Sequence, residues 1–589
     1  MNDPGAHAAT PDHAPAVALF GAPADALLLL ASIPADHKNY PQALHLRGIL
    51  HVAQGDTAQA IDLFEQALRW LPEHDELLSN LSRAYAATAR FADALRLLDQ
   101  VVDLGKASAA TCSDRAALLE KLGKDAAALD SYRAALDLDP SYFPAWAGKG
   151  NLLHKMENYG EALSCQDRAV SMHPENALAR SSRASTLDKL GRMREGLAEH
   201  ERAQALRPDN ATIWCGHGVS LVLLYRLEDG LHCFDRALAL DPSHLQAMIN
   251  RASVLAELQR HGESLEQFAA VLRLAPIGSR VRAQALHFMG MVMLALGNPA
   301  GWAGHEYRLQ LNSETAVRDA MAARWSGAEA VAGKRILLWS EQGYGDTIQF
   351  CRYSTVLAAL GATVLLEAPA PLLGLCASLP ASAVFAKGGD LPKHDFHIPM
   401  MSMPFALQNQ PPSGSAPCAG GYLRSDTQRI EKWKHALPPA EKRPRIGIAC
   451  SGAPRHKRNA QRSIPLEKML PLARLAQLVI LQTELTPHDA AIAAAMPAII
   501  QPSLDSGDFS DVAGLIANVD LVVAVDTSIA HLAGAMGVPV WIVLPWNAEW
   551  RWMTRRADTP WYGSATLFRQ PAPGDWDSVI ADVLRALGT

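Results

Sequence analysis

Seven residues near the C-terminal end, Val525-Asp526-Thr527-Ser528-Ile529-Ala530-His531, bring together a carboxylate, two hydroxyls and an imidazole. The apolar run Asp520 to Val525 before them reads as a buried parallel strand, and Leu532 to Gly537 after them as a short helix of small residues. Hydroxyls, backbone N–H groups and the positive end of a helix dipole then meet at the carboxyl end of a strand. That is where α/β proteins hold phosphorylated ligands. His531 follows Thr527 by one helical turn and can face the same crevice. An ordinary strand-to-helix junction capped by Asp526 or Thr527 has the same composition, so this stretch alone leaves two readings open.

Two further stretches occupy the same kind of position. After the predicted strand Arg445 to Cys450 comes Ser451-Gly452-Ala453-Pro454-Arg455-His456-Lys457-Arg458-Asn459, continuing to Arg462. Its clustered cations, Arg455 and Lys457 among them, can neutralise a phosphate or diphosphate; a solvated basic loop is the alternative. After the predicted strand Arg335 to Trp339 comes Glu341-Gln342-Gly343-Tyr344-Gly345-Asp346. An Asp at a turn facing a cleft can deprotonate an incoming hydroxyl, and it can equally cap a helix. Gly343 and Gly345 suggest a dinucleotide turn, but Ile348 stands where the third glycine of that fingerprint belongs. No Gly-Lys-Ser or Gly-Lys-Thr follows to make a P-loop, and nothing in these motifs calls for a metal ion.

The elements that position these stretches form two α/β domains, 333–430 and 440–589. Each opens on a buried strand, and the Pro-, Gly- and Ser-rich segment Gln408 to Gly421 links them. The first half is organised differently. Pro72, Pro140, Pro174, Pro208, Pro242 and Pro276 share one 34-residue phase, with Lys106 filling the remaining position. Five residues before these points stand Ala67, Val101, Ala135, Ala169, Ala203, Ala237 and Val271; twelve before stand Ala60, Ala94, Ala128, Ala162, Gly196, Gly230 and Ser264. Small residues at fixed offsets let paired helices approach closely, and a proline ends each pair. This period and pattern resemble the tetratricopeptide repeat and predict an α-solenoid over 36–312, after a loose tail at 1–35. Arg115, Lys149, Arg183, His217 and Arg251 form a basic ladder, and Glu65, Asp99, Asp167, Glu201 and Asp235 an acidic one. Ion pairs along the stack account for both better than an acidic ligand does. The stretch Trp302 to Arg308 reads as a capping helix between the halves.

Two tandem α/β domains, with Gly-x-Gly-Asp in the first and Asp-Thr-Ser-x-x-x-His in the second, resemble a GT-B glycosyltransferase. The heptosyltransferase-like family 9 enzymes are the nearest resemblance, over roughly Gly333 to Gln570. It implies that Asp346 is the general base toward the acceptor, with Gly343 and Gly345 forming its loop. It further implies that Lys457 or a neighbouring Arg such as Arg455, together with Asp526, Thr527 and His531, holds the donor diphosphate and sugar. Ser528 departs from the family, which often has glycine there, and leaves the donor's identity open. The fusion to repeats resembles bacterial repeat-fused transferases, including flagellin-modifying ones, and the architecture of O-GlcNAc transferases.

Composition narrows the classes. A formal charge of −6 shows no basic excess and argues against a general nucleic-acid binder. Eight scattered cysteines without a Cys-x-x-Cys pair suit reduced thiols rather than a disulfide framework or zinc site. The apolar run Ala26 to Ala31 is too short to span a membrane, and no basic residue precedes it. The expectation is a cytoplasmic, metal-independent, inverting glycosyltransferase with no cofactor beyond its nucleotide-sugar substrate. Its repeats would recruit a protein acceptor, flagellin by analogy. The rival readings are a scaffold carrying a degenerate transferase domain, and a transferase acting on lipopolysaccharide sugar.

Overall fold

The computed structural model describes residues 23–408, 420–439, 443–452, 459–504 and 507–588. The chain divides into two compact units, Met1–His244 and Leu245–Thr589.

The first unit is helical. A helix α1 (Pro23–Ala31), inside the segment expected to be a loose tail, precedes six helix pairs. These are α2 (Tyr40–Ala53) with α3 (Thr57–Leu68), α4 (Asp75–Ala87) with α5 (Phe91–Asp103), and α6 (Ala109–Lys121) with α7 (Asp125–Leu138). The series continues with α8 (Phe143–Lys155) and α9 (Tyr159–Met172), α10 (Ala177–Lys189) and α11 (Met193–Leu206), and α12 (Ala211–Leu223) and α13 (Leu227–Leu240). The periodic small residues sit where the helices touch: Ala60, Ala94, Ala128 and Ala162 are fully buried, as are Ala67, Val101 and Ala135. A Cβ on Gly218 would lie 2.7 Å from the Phe234 ring, which is why that position is glycine. A second 34-residue rhythm marks the turn inside each pair. Gly55, Ala89, Gly123, Glu157, Gly191 and Tyr225 all take positive φ, although only half of them are glycine. The two charge ladders meet in part, Asp99 accepting from Arg115 at 2.7 Å and Asp167 from Arg183 at 2.6 Å. Such exposed pairs contribute about 0–1 kcal/mol each.

The second unit begins with a seventh pair, α14 (Leu245–Glu257) and α15 (His261–Leu274), followed by α16 (Arg280–Ala295), α17 (Gly301–His305) and α18 (Ser313–Asp319). Two parallel sheets follow. The first contains β1 (Ala323–Arg324), β2 (Arg335–Trp339), β3 (Thr363–Ala368), β4 (Ala383–Ala386) and β5 (Phe396–Pro399), in the order β1-β5-β2-β3-β4. Its edge strand β1 lies upstream of Gly333, so this sheet reaches back beyond the boundary expected from hydropathy. Two helices follow β2, α19 (Tyr344–Phe350) and α20 (Tyr353–Ala359). The second sheet contains β6 (Arg445–Ala449), β7 (Gln477–Ile480), β8 (Ile499–Ile500), β9 (Leu521–Val525), β10 (Val540–Leu544) and β11 (Ala565–Arg569), in the order β11-β10-β9-β6-β7-β8. Between β9 and β10 runs α21 (Ser528–Met536), ended by Gly537 in the left-handed region.

Every residue of β9 is buried, as expected for a central parallel strand covered on both faces. Val522 and Ala524 pack into one core with Val540 and Ile542, while Leu521, Val523 and Val525 pack into another with Ile446 and Ile448. Strand order reverses at β2 in the first sheet and at β6 in the second. Ligands of open α/β sheets bind outside the carboxyl ends of strands at such points. No helix among the described residues is long and apolar enough to cross a membrane.

Candidate functional site

The loop after β2 and the junction after β9 belong to different sheets, yet they touch. A Cβ on Gly345 would lie 3.0 Å from His531 Cδ2 and 3.8 Å from Ser528 Cα. Gly345 thus lets the first turn of α19 pack onto the first turn of α21, joining the two motifs. Gly343 takes the N-cap position of α19 and donates its backbone N–H to Asp346 Oδ2 at 2.9 Å.

The other carboxylate oxygen of Asp346 accepts from Arg551, which also bonds Glu549. Arg551 Nε donates to Gln349 Oε1 at 2.8 Å, and its guanidinium lies 4.5 Å from the centre of the Trp550 ring. This cation is buried, and its two carboxylate partners keep it protonated despite that burial. Glu549 is half-buried and its carboxyl is pushed up by that burial, with Asp526 and Asp346 adding repulsion and Arg551 opposing. Three carboxylates, Asp346, Asp526 and Glu549, therefore converge with Arg551 in one neighbourhood.

His531 is buried against Trp552, their rings stacked 5.1 Å apart. Its Nδ1 bonds the Tyr562 hydroxyl at 2.8 Å, and its Nε2 lies 3.9 Å from Asp526 Oδ1. Burial, together with Arg551, Arg352 and Arg462, holds its pKa well below the usual histidine value, so the imidazole is neutral. Thr527 has extended backbone at the N-cap of α21, yet its side chain makes no cap bond. Its Oγ1 is buried and has no hydrogen-bond partner among the described residues. Ser528 opens α21 beside it.

Lys457 and Arg455 lie outside the described residues. The basic stretch is represented by its C-terminal end, where Arg462 packs on Gly452; a Cβ there would lie 2.3 Å from Arg462 Nη2. Burial lowers the Arg462 pKa, while Asp526 and Glu549 act in the opposite direction. Arg462 is a cation within electrostatic reach of the same carboxylates, and its Nε has no hydrogen-bond partner among the described residues. Gln482 shapes the turn before it, accepting from the backbone N–H groups of Cys450 and Ser451 at 2.7 and 3.2 Å.

Two braces hold the neighbourhood. Arg352, fully buried, donates to the carbonyls of Gln349 and Trp561 at 2.7 and 2.8 Å and to the Tyr422 hydroxyl at 2.9 Å. Arg308 grips Glu341 with two bonds of 2.9 and 2.7 Å and also donates to Ser402 at 2.8 Å. The stretch Trp302 to Arg308, expected as a simple cap, continues from α17 into a 3-10 turn and supports the loop that carries Asp346.

Asp346, Gly343, Gly345, Asp526, Thr527, Ser528 and His531 are thus brought together as their positions after strands suggested. Sequence reasoning missed Arg551, Glu549, Arg352 and Tyr562, and had Arg462 only as the end of the basic stretch. The available signal was Glu549-Trp550-Arg551-Trp552 after β10, a charge pair set between tryptophans where a strand delivers its chain to the ligand side.

Four tetratricopeptide-repeat family matches cover residues 51–111, 109–142, 147–211 and 217–277. Protein FlbA of Caulobacter vibrioides is 26% identical over 321 residues, covering 50% of this chain and 53% of that protein. The chain thus spans about half the length of this curated relative. A tetratricopeptide repeat protein from Parabacteroides merdae is similar at 16% identity and a TM-score of 0.38, covering 43% of this chain and 98% of that one. YrrB, described as a TPR protein with an unusual peptide-binding site, is similar at 25% identity and a TM-score of 0.25, covering 32% of this chain and 96% of that one. With the period in the sequence and the stacked helix pairs, the family matches identify residues 51–277 as tetratricopeptide repeats.

Proposed function

We propose that this chain is a glycosyltransferase that moves a sugar from a nucleotide-sugar donor to a protein acceptor recruited by its repeats. One observation carries the reading: the turn holding Asp346 and the junction holding Asp526, Thr527 and His531 pack together at the carboxyl ends of two parallel sheets.

In this reading the leaving diphosphate meets the N-terminus of α21, the Thr527 hydroxyl, which has no partner among the described residues, and the Arg462 cation; the family resemblance gives Lys457 or Arg455 the same anion-neutralising role. These groups stabilise the charge that builds on the phosphate as the glycosidic bond breaks. The acceptor hydroxyl gives its proton to Asp346 as its oxygen attacks the anomeric carbon. Arg551 orients that carboxylate. Neutral His531 adds a hydrogen-bonding nitrogen without adding charge. The positive charge is the chain's own, so the reading needs no metal. Inversion follows from the family resemblance. Flagellin is the acceptor class suggested by the likeness to repeat-fused transferases, and a nucleotide-sugar donor implies a cytoplasmic setting.

The test is a thermal-shift panel of UDP, ADP, GDP and CMP with their sugar conjugates on the full chain, since a ligand of the folded state raises the melting temperature. A shift with one nucleotide class, lost in Thr527→Val and Arg462→Met, is expected. A folded protein that responds to no member is instead a repeat scaffold with a docked, inactive α/β half.

A further inference from the structure

A cavity of about 500 Å³ lies in the second unit, walled by α14, α15 and α16 on one side and by the segment after β10 and the end of β11 on the other. Its size falls in the range of built ligand pockets, roughly 300–1,000 Å³. Three bonds fix its walls. Gln259 Nε2 donates to the Trp546 carbonyl at 2.7 Å, Asn547 donates to Glu257, and Thr554 N–H donates to the Ala295 carbonyl at 2.9 Å. The cavity therefore exists before any ligand arrives.

Phe268, Phe288, Met291 and Trp550 give the lining its apolar side. Two polar groups on it lack partners among the described residues. Gln570 is 95% buried, since its exposure is 5%; its Oε1 accepts from the Trp546 and Gly574 N–H groups, while its Nε2 bonds nothing. His261 has both ring nitrogens buried and unbonded, and its burial and Arg555 lower its pKa, leaving a neutral ring. A buried amide N–H without an acceptor costs stability; a ligand carbonyl would relieve it. Glu549 lines the same cavity, and the cation it bonds, Arg551, bonds Asp346 in turn.

We propose that this cavity binds an extended polypeptide segment of the acceptor. An apolar side chain would seat among Phe268, Phe288, Met291 and Trp550, and a main-chain carbonyl would accept from Gln570 Nε2. Neutral unpaired donors and an apolar floor suit a peptide. Glu257 and Glu549 balance Arg555 and Arg569 in the lining, so the cavity has no excess positive charge for a diphosphate, and Arg569 is engaged by the Arg556 and Trp552 carbonyls. Two walls, α14 and α15, are themselves repeat helices, so the segment would leave the repeats one ion pair away from Asp346. The acceptor role rests on the transferase reading above; the peptide site does not.

Selection of a random dodecapeptide library on the full chain tests it. Enriched peptides should share an aromatic or branched aliphatic anchor. Their affinity should fall about tenfold or more in Met291→Trp, which fills the cavity. It should also fall in Gln570→Glu, which keeps the two accepted bonds and removes the donor. Nucleotide-induced thermal shifts should survive both changes. Gln570→Glu carries the test alone if Met291→Trp does not fold. The proposal is overturned if no selected peptide responds to either substitution, or if Met291→Trp abolishes a nucleotide shift and leaves peptides bound. Peptides that respond in a protein that binds no nucleotide would keep the site and sink the transferase reading.

Discussion

The two units solve the same problem, burying a chain, by opposite means. The repeats repeat one solution: Ala60, Ala94, Ala128 and Ala162 make equivalent helix contacts, and each residue needs only its neighbouring helices. The α/β half uses single, unrepeated polar clusters. Arg352, Arg308 and Arg551 are each buried with partners distant in the chain, and no second copy of any cluster exists among the described residues. Stability in the first is spread over many similar contacts. In the second it is concentrated where function is proposed, so single substitutions should act very differently in the two.

Arg551→Met sharpens that contrast most. It leaves Asp346 and Glu549 without their shared cation, and breaking a buried pair costs about 3–5 kcal/mol. Hydrogen exchange should show lost protection in α19 and the segment after β10, with α2 to α9 unchanged. Equal loss throughout would erase the distinction.

Acid is expected to act on the repeat unit through histidine. His200 is fully buried, its pKa pushed down to about 3, and His45 is lowered to about 4, both chiefly by burial. Unfolded, such a ring takes a proton near its usual value of about 6.5. The unfolded state therefore binds more protons, and stability falls as pH drops below that value. For His200 the loss at pH 5 is on the order of 2 kcal/mol. Chemical denaturation from pH 7 to 5 should show this slope, reduced in His200→Gln. A slope unchanged by that substitution would remove His200 as its source.

The smallest effect has the opposite sign. Glu157 occupies a left-handed turn position that Gly123 and Gly191 fill in neighbouring repeats. Glu157→Gly should stabilise the array by about 1 kcal/mol, by removing a side chain that disfavours that conformation. A lower melting temperature would mean that Glu157 contributes contacts outweighing its strain.

These differences also explain what could be read from the sequence. The repeats were legible because helix contacts recur at fixed offsets, and seven units in phase leave little freedom of interpretation. Asp346, Thr527 and His531 were legible because a parallel strand delivers its next residues to one edge of a sheet. Arg551 was not, because its role depends on which distant acids the fold places around it. Tyr562 and Arg352 were hidden for the same reason: burying a polar ring or a guanidinium makes sense only once its partners are known.

The grip of Arg308 on Glu341 bears on how such a protein can be inherited. The Glu341 side chain is 3% exposed, and cutting the chain at Gly333 would leave it buried without its cation while also removing β1 from the first sheet. The α/β half is therefore not a cassette that begins where the strands begin. A gene rearrangement that moved it to a new neighbour would have to carry the Trp302 to Arg308 segment along.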